Sequence, residues 1–300
     1  MAVLSIQSHV VYGYAGNTAS VFPLQRLGRE VWAVNTVEFS NHTGYGAWRG
    51  KVLGADLAGD LVTGLEERGV LNECSAVLSG YLGDPQIGSI ISDTVKKVRS
   101  YSPGALYCCD PVMGDTGRGF YVKPEIRQII KEKLVPSADI VCPNQFELQA
   151  LTGLEIKTLN DALKAVNILH DAGPSIVLVT SFKESLLSEN AAAVLSMIVS
   201  DKKEIFKITT PELPLGGDAA GTGDMTTAVF LSRYLETKDL KKTLELCTSS
   251  VFSILEASYK IAQNRVLKNN DLKRPIELKL IETQEQFVCP SHLFKAEIIK

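Results

Sequence analysis

The chain has 300 residues, 45% of them hydrophobic and 22% charged, the balance of a sequence that buries a core rather than staying disordered. Lys and Arg number 31 against 34 Asp and Glu, a net charge of −3 with no basic excess for nucleic acid or an anionic membrane surface. No apolar run reaches the ~20 residues of a membrane span and the first residues carry no leader pattern, so a soluble cytoplasmic protein is expected.

Along the chain, short apolar runs alternate with longer amphipathic ones. Residues 2–7 read as a strand, 15–27 as a helix, 31–36 as a strand and 56–68 as a helix. A strand at 76–79 follows, then a helix at 87–100 announced by Asp84-Pro85, and a strand at 106–109. Residues 124–134 are helical in pattern, 140–142 form a strand, and helices at 145–152 and 159–172 precede Gly173-Pro174 and a strand at 176–179. The rhythm predicts an α/β fold, a mostly parallel sheet with helices on both faces, its strands continuously apolar as buried parallel strands are.

After residue 180 the pattern changes. Residues 191–199 and 204–209, separated by Ser200-Asp201-Lys202-Lys203, predict an antiparallel hairpin added to the sheet. A Gly-rich loop at 215–223 leads to long helices at 224–235 and 240–264, while 268–300 is charged and irregular. With no repeat and no linker composition, one domain over residues 1–300 is expected.

The six cysteines are too sparse for a disulfide scaffold and none lie in C-x-x-C spacing; the four histidines form no H-x-x-x-H pair. Adjacent Cys108 and Cys109, on a strand, would face opposite sides of the sheet within the core.

In an open parallel sheet, ligands bind beyond the carboxyl ends of the strands. The apolar runs end at Ser8, Tyr81, Asp110, Asn144 and Thr180-Ser181, all able to hydrogen-bond. Each alone reads equally as the polar start of a loop; five in register point to a site. Gly221-Thr222-Gly223-Asp224 adds a glycine turn opening a helix, which can bring backbone N–H groups and a helix dipole onto an anion. Asp224 reads either as a helix cap or as a carboxylate facing a transferred group. The spacing matches neither a dinucleotide fingerprint nor a Walker loop, and no protein-kinase motif set is present.

Asp110 and Asp115 flank a Pro111/Gly114 turn, and Asn144 and Glu147 stand three apart at a helix start. Such hard oxygen donors suit Mg²⁺ carried by nucleotide phosphates and water, although Asn144 reads equally as an N-cap and Glu147 as a helix-dipole residue. In the N-terminal half, Tyr81 would stack a flat heteroaromatic ring and the hydroxyls of Ser8 and Thr43 would hold it, under a flap made mobile by Gly44 and Gly46.

The segments QSHVVYGYAGN (7–17), NTVEFSNHTGYG (35–46), SGYLG (79–83), CDPVMGD (109–115), PNQFE (143–147), VTS (179–181) and GTGD (221–224) together resemble the pyridoxal kinase branch of the ribokinase-like superfamily. The resemblance implies ATP-dependent phosphorylation of the 5′-hydroxyl of a B6 vitamer, with Asp224 as base and Gly221, Thr222 and Gly223 as anion hole. It implies that Ser8, Thr43 and Tyr81 hold the pyridine ring. Asp110, Asp115, Asn144, Glu147, Thr180 and Ser181 would serve the ATP phosphates, with Mg²⁺ or another divalent cation held by Asp110 and Glu147 largely through water. Tyr121 would lie between the substrates and Leu215 near adenine. A homodimer and a monovalent cation such as K⁺ are implied as well. Cys142 departs from the threonine of close relatives, which removes a hydroxyl at that position. Competing readings are a hydroxymethylpyrimidine or sugar kinase of the same fold, or a non-catalytic binder of a B6 vitamer.

Overall fold

The structure is a computed structural model that describes residues 2–183, 193–214, 219–269 and 276–299. In chain order its elements are β1 (Ala2–Tyr12), α1 (Asn17–Arg26), β2 (Glu30–Asn41), β3 (Gly50–Val52), α2 (Ala55–Glu67), β4 (Cys74–Ser79), α3 (Pro85–Tyr101) and β5 (Leu106–Cys109). A small hairpin of β6 (Gly114–Asp115) and β7 (Gly119–Phe120) comes next. Then follow α4 (Pro124–Ile129), a wider π turn (Ile130–Leu134), α5 (Val135–Ser137), β8 (Ile140–Val141), α6 (Gln145–Thr152), α7 (Leu159–Ala172) and β9 (Ile176–Phe182). The chain closes with β10 (Val194–Ser200), β11 (Ile205–Pro211), α8 (Thr222–Thr237), α9 (Leu240–Asn269) and β12 (Glu297–Ile298).

Ten strands form one sheet in the order β12-β11-β10-β9-β8-β5-β4-β1-β2-β3. Its middle, from β2 to β9, is parallel. β10 and β11 add to β9 as the expected antiparallel hairpin. The chain runs outward from β1 to β2, then back across β1 to β4, so the sheet's topological switch point lies between β1 and β4.

Strand alternation explains the two-sided core. Leu4, Val77, Cys109, Val141 and Val179 pack with α2, α3, α6 and α7 on one face. Val3, Ala76, Cys108, Ile140 and Leu178 pack with α1, α8 and α9 on the other. Cys108 and Cys109 thus divide between the faces as their adjacency requires. α7 shows how a helix of the first layer is specified. Thr158 and Asp161 form a reciprocal capping box, and Ala162, Ala165, Val166 and Leu169 give one buried stripe.

Three departures from the sequence reading matter. β1 runs on to Tyr12, so Ser8 lies inside a strand rather than at its end, at a register shift between Gln7 and His9. β9 likewise includes Thr180 and Ser181. The segment after residue 276, given no element, docks Leu278, Leu280 and Phe287 fully into the second core face and adds β12 to β11.

Candidate active site

Asp110 leaves β5 with its N–H bonded to Ser79 O of β4 at 2.9 Å, and its side chain is only 6% exposed. Oδ2 accepts from Thr227 Oγ1 of α8 at 3.1 Å, which ties the end of the central strand to the first turns of that helix. Burial raises the Asp110 pKa well above the carboxylate range, and the charges of Glu147 and Asp224 add to it.

Asn144 and Glu147 form a capping box at the start of α6. Asn144 Oδ1 accepts from Glu147 N at 2.8 Å, and Glu147 Oε2 accepts from Asn144 N at 3.0 Å. The capping reading of Asn144 is therefore correct, but it does not exhaust the pair. Asn144 Nδ2 donates to Gly114 O at 2.9 Å and Glu147 Oε1 accepts from Met113 N at 2.9 Å, so both fix the 110–115 turn. Burial pushes the Glu147 pKa up to about 8 despite those backbone donors.

The hairpin β6–β7 closes this side. Phe120 packs edge-on against Phe146 with centroids 4.9 Å apart, and the Arg127 guanidinium lies 4.1 Å from the Phe120 centroid. Asp115 is exposed on the hairpin and accepts from Thr116 N. Tyr121 bonds Met113 O through its N–H. Partial burial of its hydroxyl, then the charges of Glu147, Asp110, Asp224 and Asp115, raise its pKa. Thr180 lies beside the same helix start, its N–H bonded to Pro143 O at 3.0 Å, with Ser181 next in the strand. Cys142 is buried with its Sγ 4.0 Å from Cys108 Sγ, so the two thiols face each other in the core. Leu215 lies outside the described residues.

Asp224 stands at the third position of α8. Gly221 is the N-cap, at φ 81°, with no side-chain cap, so the aspartate does not cap its own helix. Its Oδ2 instead accepts from Gly16 N at 2.8 Å, at the start of α1. Desolvation raises its pKa, moderated by the Gly16 N–H. Gly16 is required there. Its φ is 57°, and a Cβ would lie 2.2 Å from Ser8 O and 2.3 Å from Ser8 Oγ. The bulge at Ser8, the turn at Gly16 and the base of α8 thus meet at one point near the switch point, a contact no local pattern announces.

Thr43 and Tyr81 come from separate loops. Tyr81 follows β4, partly buried, its carbonyl accepting from Thr36 Oγ1 at 2.7 Å. Thr43 is exposed in the 3-10 turn Thr43–Tyr45, whose His42 Nδ1 accepts from Gly44 N at 3.1 Å. An open cavity of about 720 Å³ lined by His9, Tyr12, Tyr14, Asn17 and Glu277 among others includes none of Asp110, Glu147 and Asp224. The carboxylates collect instead where the ends of β5 and β8 meet the N-terminus of α8.

The chain matches the phosphomethylpyrimidine kinase family over residues 69–268. It is 47% identical over 288 residues to a pyridoxal kinase of Rubrobacter xylanophilus, covering 96% of this chain and 94% of that protein. A pyridoxal kinase of Granulibacter bethesdensis is 44% identical over 302 residues, with 99% of this chain and 100% of that one covered. Among solved structures, pyridoxal kinase from Leishmania donovani in complex with ADP and pyridoxamine superposes with a TM-score of 0.88 at 28% identity, covering 100% of this chain and 99% of that one. The ribokinase-like architecture is therefore shared from end to end, and with relatives this similar over nearly its whole length the chain belongs to the pyridoxal kinase family.

Proposed function

We infer that the chain transfers the γ-phosphoryl group of ATP to the 5′-hydroxyl of pyridoxal, giving pyridoxal 5′-phosphate, with pyridoxine and pyridoxamine as further acceptors. The observation that carries the chemistry is Asp224: a carboxylate in the first turn of a helix whose N-cap is glycine, held by Gly16 N–H at 2.8 Å. The acceptor oxygen bonds to phosphorus, the bridging oxygen leaves with ADP, and the hydroxyl proton passes to Asp224. A carboxylate whose pKa is raised by burial is a better base for an alcohol than one in water. Backbone N–H groups of Gly221, Thr222 and Gly223 would neutralise the transferring group, since positioning and charge stabilisation dominate phosphoryl transfer.

Ser8, Thr43 and Tyr81 would hold the pyridine ring. Asp110, Asp115, Asn144, Glu147, Thr180 and Ser181 would serve the triphosphate, with Tyr121 between the substrates and Leu215 near adenine. Among the described residues no three His, Cys, Asp or Glu side chains form a direct metal cage. Yet Asp110 and Glu147 are two buried carboxylates whose pKa values burial raises, the Glu147 charge adding to the cost of ionising Asp110, a donor pair that fits a divalent cation held with phosphates and water. Mg²⁺ there would offset phosphate charge. A monovalent cation such as K⁺, a homodimer and a cytoplasmic location belong to the same reading, supported by family likeness. Among the described residues no helix is long and apolar enough to cross a membrane. A single domain over 1–300 is supported by one sheet whose strands run from Ala2 to Ile298.

Acceptor-stimulated ADP release tests the reading, with pyridoxal, pyridoxine, pyridoxamine, hydroxymethylpyrimidine and a sugar as acceptors. The B6 vitamers are expected to give the highest kcat/KM. Faster turnover of hydroxymethylpyrimidine would reassign the substrate, and tight pyridoxal binding without ADP release would make the chain a binder.

A further inference from the structure

Glu277 lies in the C-terminal segment, 232 positions beyond the flap turn Thr43–Tyr45, and is 8% exposed. Its two oxygens serve two different loops. Oε1 accepts the hydroxyl hydrogen of Tyr45, the last residue of the flap turn, and Oε2 accepts from Tyr14 N at 3.3 Å. The carboxylate fills the space beside Gly13, where a Cβ would lie 2.7 Å from both oxygens. A carboxylate largely withdrawn from water is costly, and among the described residues its donors are the Tyr45 hydroxyl and the Tyr14 N–H.

Both loops belong to the acceptor side. Two residues beyond Tyr14, Gly16 N–H holds Asp224, and the Tyr14 carbonyl lies against Gly221, the N-cap of α8. Two residues before Tyr45 stands Thr43. The Tyr45 ring meets Tyr12 edge-on with centroids 6.1 Å apart, so its hydroxyl reaches Glu277 from a supported position.

We propose that Glu277 is a positioning residue for the phosphoryl acceptor, a latch that joins the flap turn Thr43–Tyr45 to the strap 13–16 and so sets the acceptor site and Asp224 relative to each other. This rests on Asp224 being the base. The flap carries a bond that ligand binding need not make.

Tyr45→Phe removes one hydroxyl on an outer loop, and Glu277→Gln removes the charge and leaves a single acceptor for two donors. Tyr45→Phe is expected to raise the pyridoxal KM about tenfold, the worth of one hydrogen bond to a charged group, with the ATP KM moving less than about twofold. Glu277→Gln should raise the pyridoxal KM further and lower kcat, and the double variant should be no worse than Glu277→Gln. Trypsin should cut the ligand-free Tyr45→Phe protein at Arg49 faster than the wild type. Equal shifts in both KM values, additive losses or unchanged cleavage at Arg49 would each overturn the latch. If Glu277→Gln does not fold, Tyr45→Phe decides alone. If the wild type phosphorylates no B6 vitamer, the assigned activity fails while cleavage at Arg49 still reads the latch.

Discussion

Asn144 and Glu147 hold each other across three residues of one helix start, whereas Gly16 and Asp224 meet across 208 residues and Tyr45 and Glu277 across 232. The arm assigned to the nucleotide is therefore built around a local capped pair, although Asp110 of the same arm reaches Thr227 across 117 residues. The acceptor arm exists only once β1, the flap, α8 and the C-terminal segment have come together. Local contacts close small loops at low entropic cost, while contacts of long separation wait for the whole fold. The difference predicts that the acceptor arm is the more easily uncoupled of the two.

The largest expected effect tests the assignment of the acceptor arm. Asp224→Asn keeps an oxygen for Gly16 N–H but cannot take a proton, so kcat should fall about 10³-fold while a fluorescent ATP analogue binds as before. Turnover within about tenfold of wild type would detach the chemistry from Asp224. Next, Gly16→Ala forces a Cβ against Ser8 at a positive φ, which should cost about 1–3 kcal/mol in urea unfolding and reduce turnover with it. Wild-type stability would show the meeting of Ser8, Gly16 and Asp224 to be slack.

A smaller, crossed effect sharpens the division. Ser8→Ala and Tyr81→Ala should raise the pyridoxal KM several-fold and leave the ATP KM, with Thr180→Ala doing the reverse, on the order of one hydrogen bond or one stacked ring each. Parallel shifts would merge the two arms.

The remaining effect is one of pH. Burial pushes the Glu147 pKa from its ordinary 4.5 up to about 8 in the metal-free protein. Between those values the folded state holds a proton that the unfolded chain has lost, so stability falls as pH rises, by at most about 1.4 kcal/mol per pH unit from this group. Glu147→Gln should flatten that slope in thermal melts from pH 5 to 8. An unchanged slope would show that the nucleotide arm stores no such strain.

Legibility follows the same division. The helix Gln145–Thr152 and the strand Leu106–Cys109 were readable to the residue, because caps, apolar runs and alternation are local signals. The hairpin β10–β11 was readable from its polar turn. The extension of β1 past Gln7 was not, since Ser8 and His9 interrupt the apolar run where the strand pairs mainly with β2. β3 and β12 are three and two residues long, too short to show a period. The carboxylates Asp110, Asn144's partner Glu147 and Asp224 could be picked out by motif. That Asp224 leans on Gly16 instead of capping α8 could not, and nothing in a charged tail marks Glu277.

Synthesis runs in one direction, and the docking of the tail makes that direction matter. Ser8, Thr43 and Tyr81 leave the ribosome early, on β1 and on the loops that follow its neighbours β2 and β4, whereas Asp224 follows much later and Glu277 later still. A nascent chain can thus shape the sheet around β1 while its flap still lacks the carboxylate that ties it down. The segment that carries Glu277 emerges after every other part of the site, so a chain cut short before residue 276 carries most of the fold and a flap without its carboxylate partner.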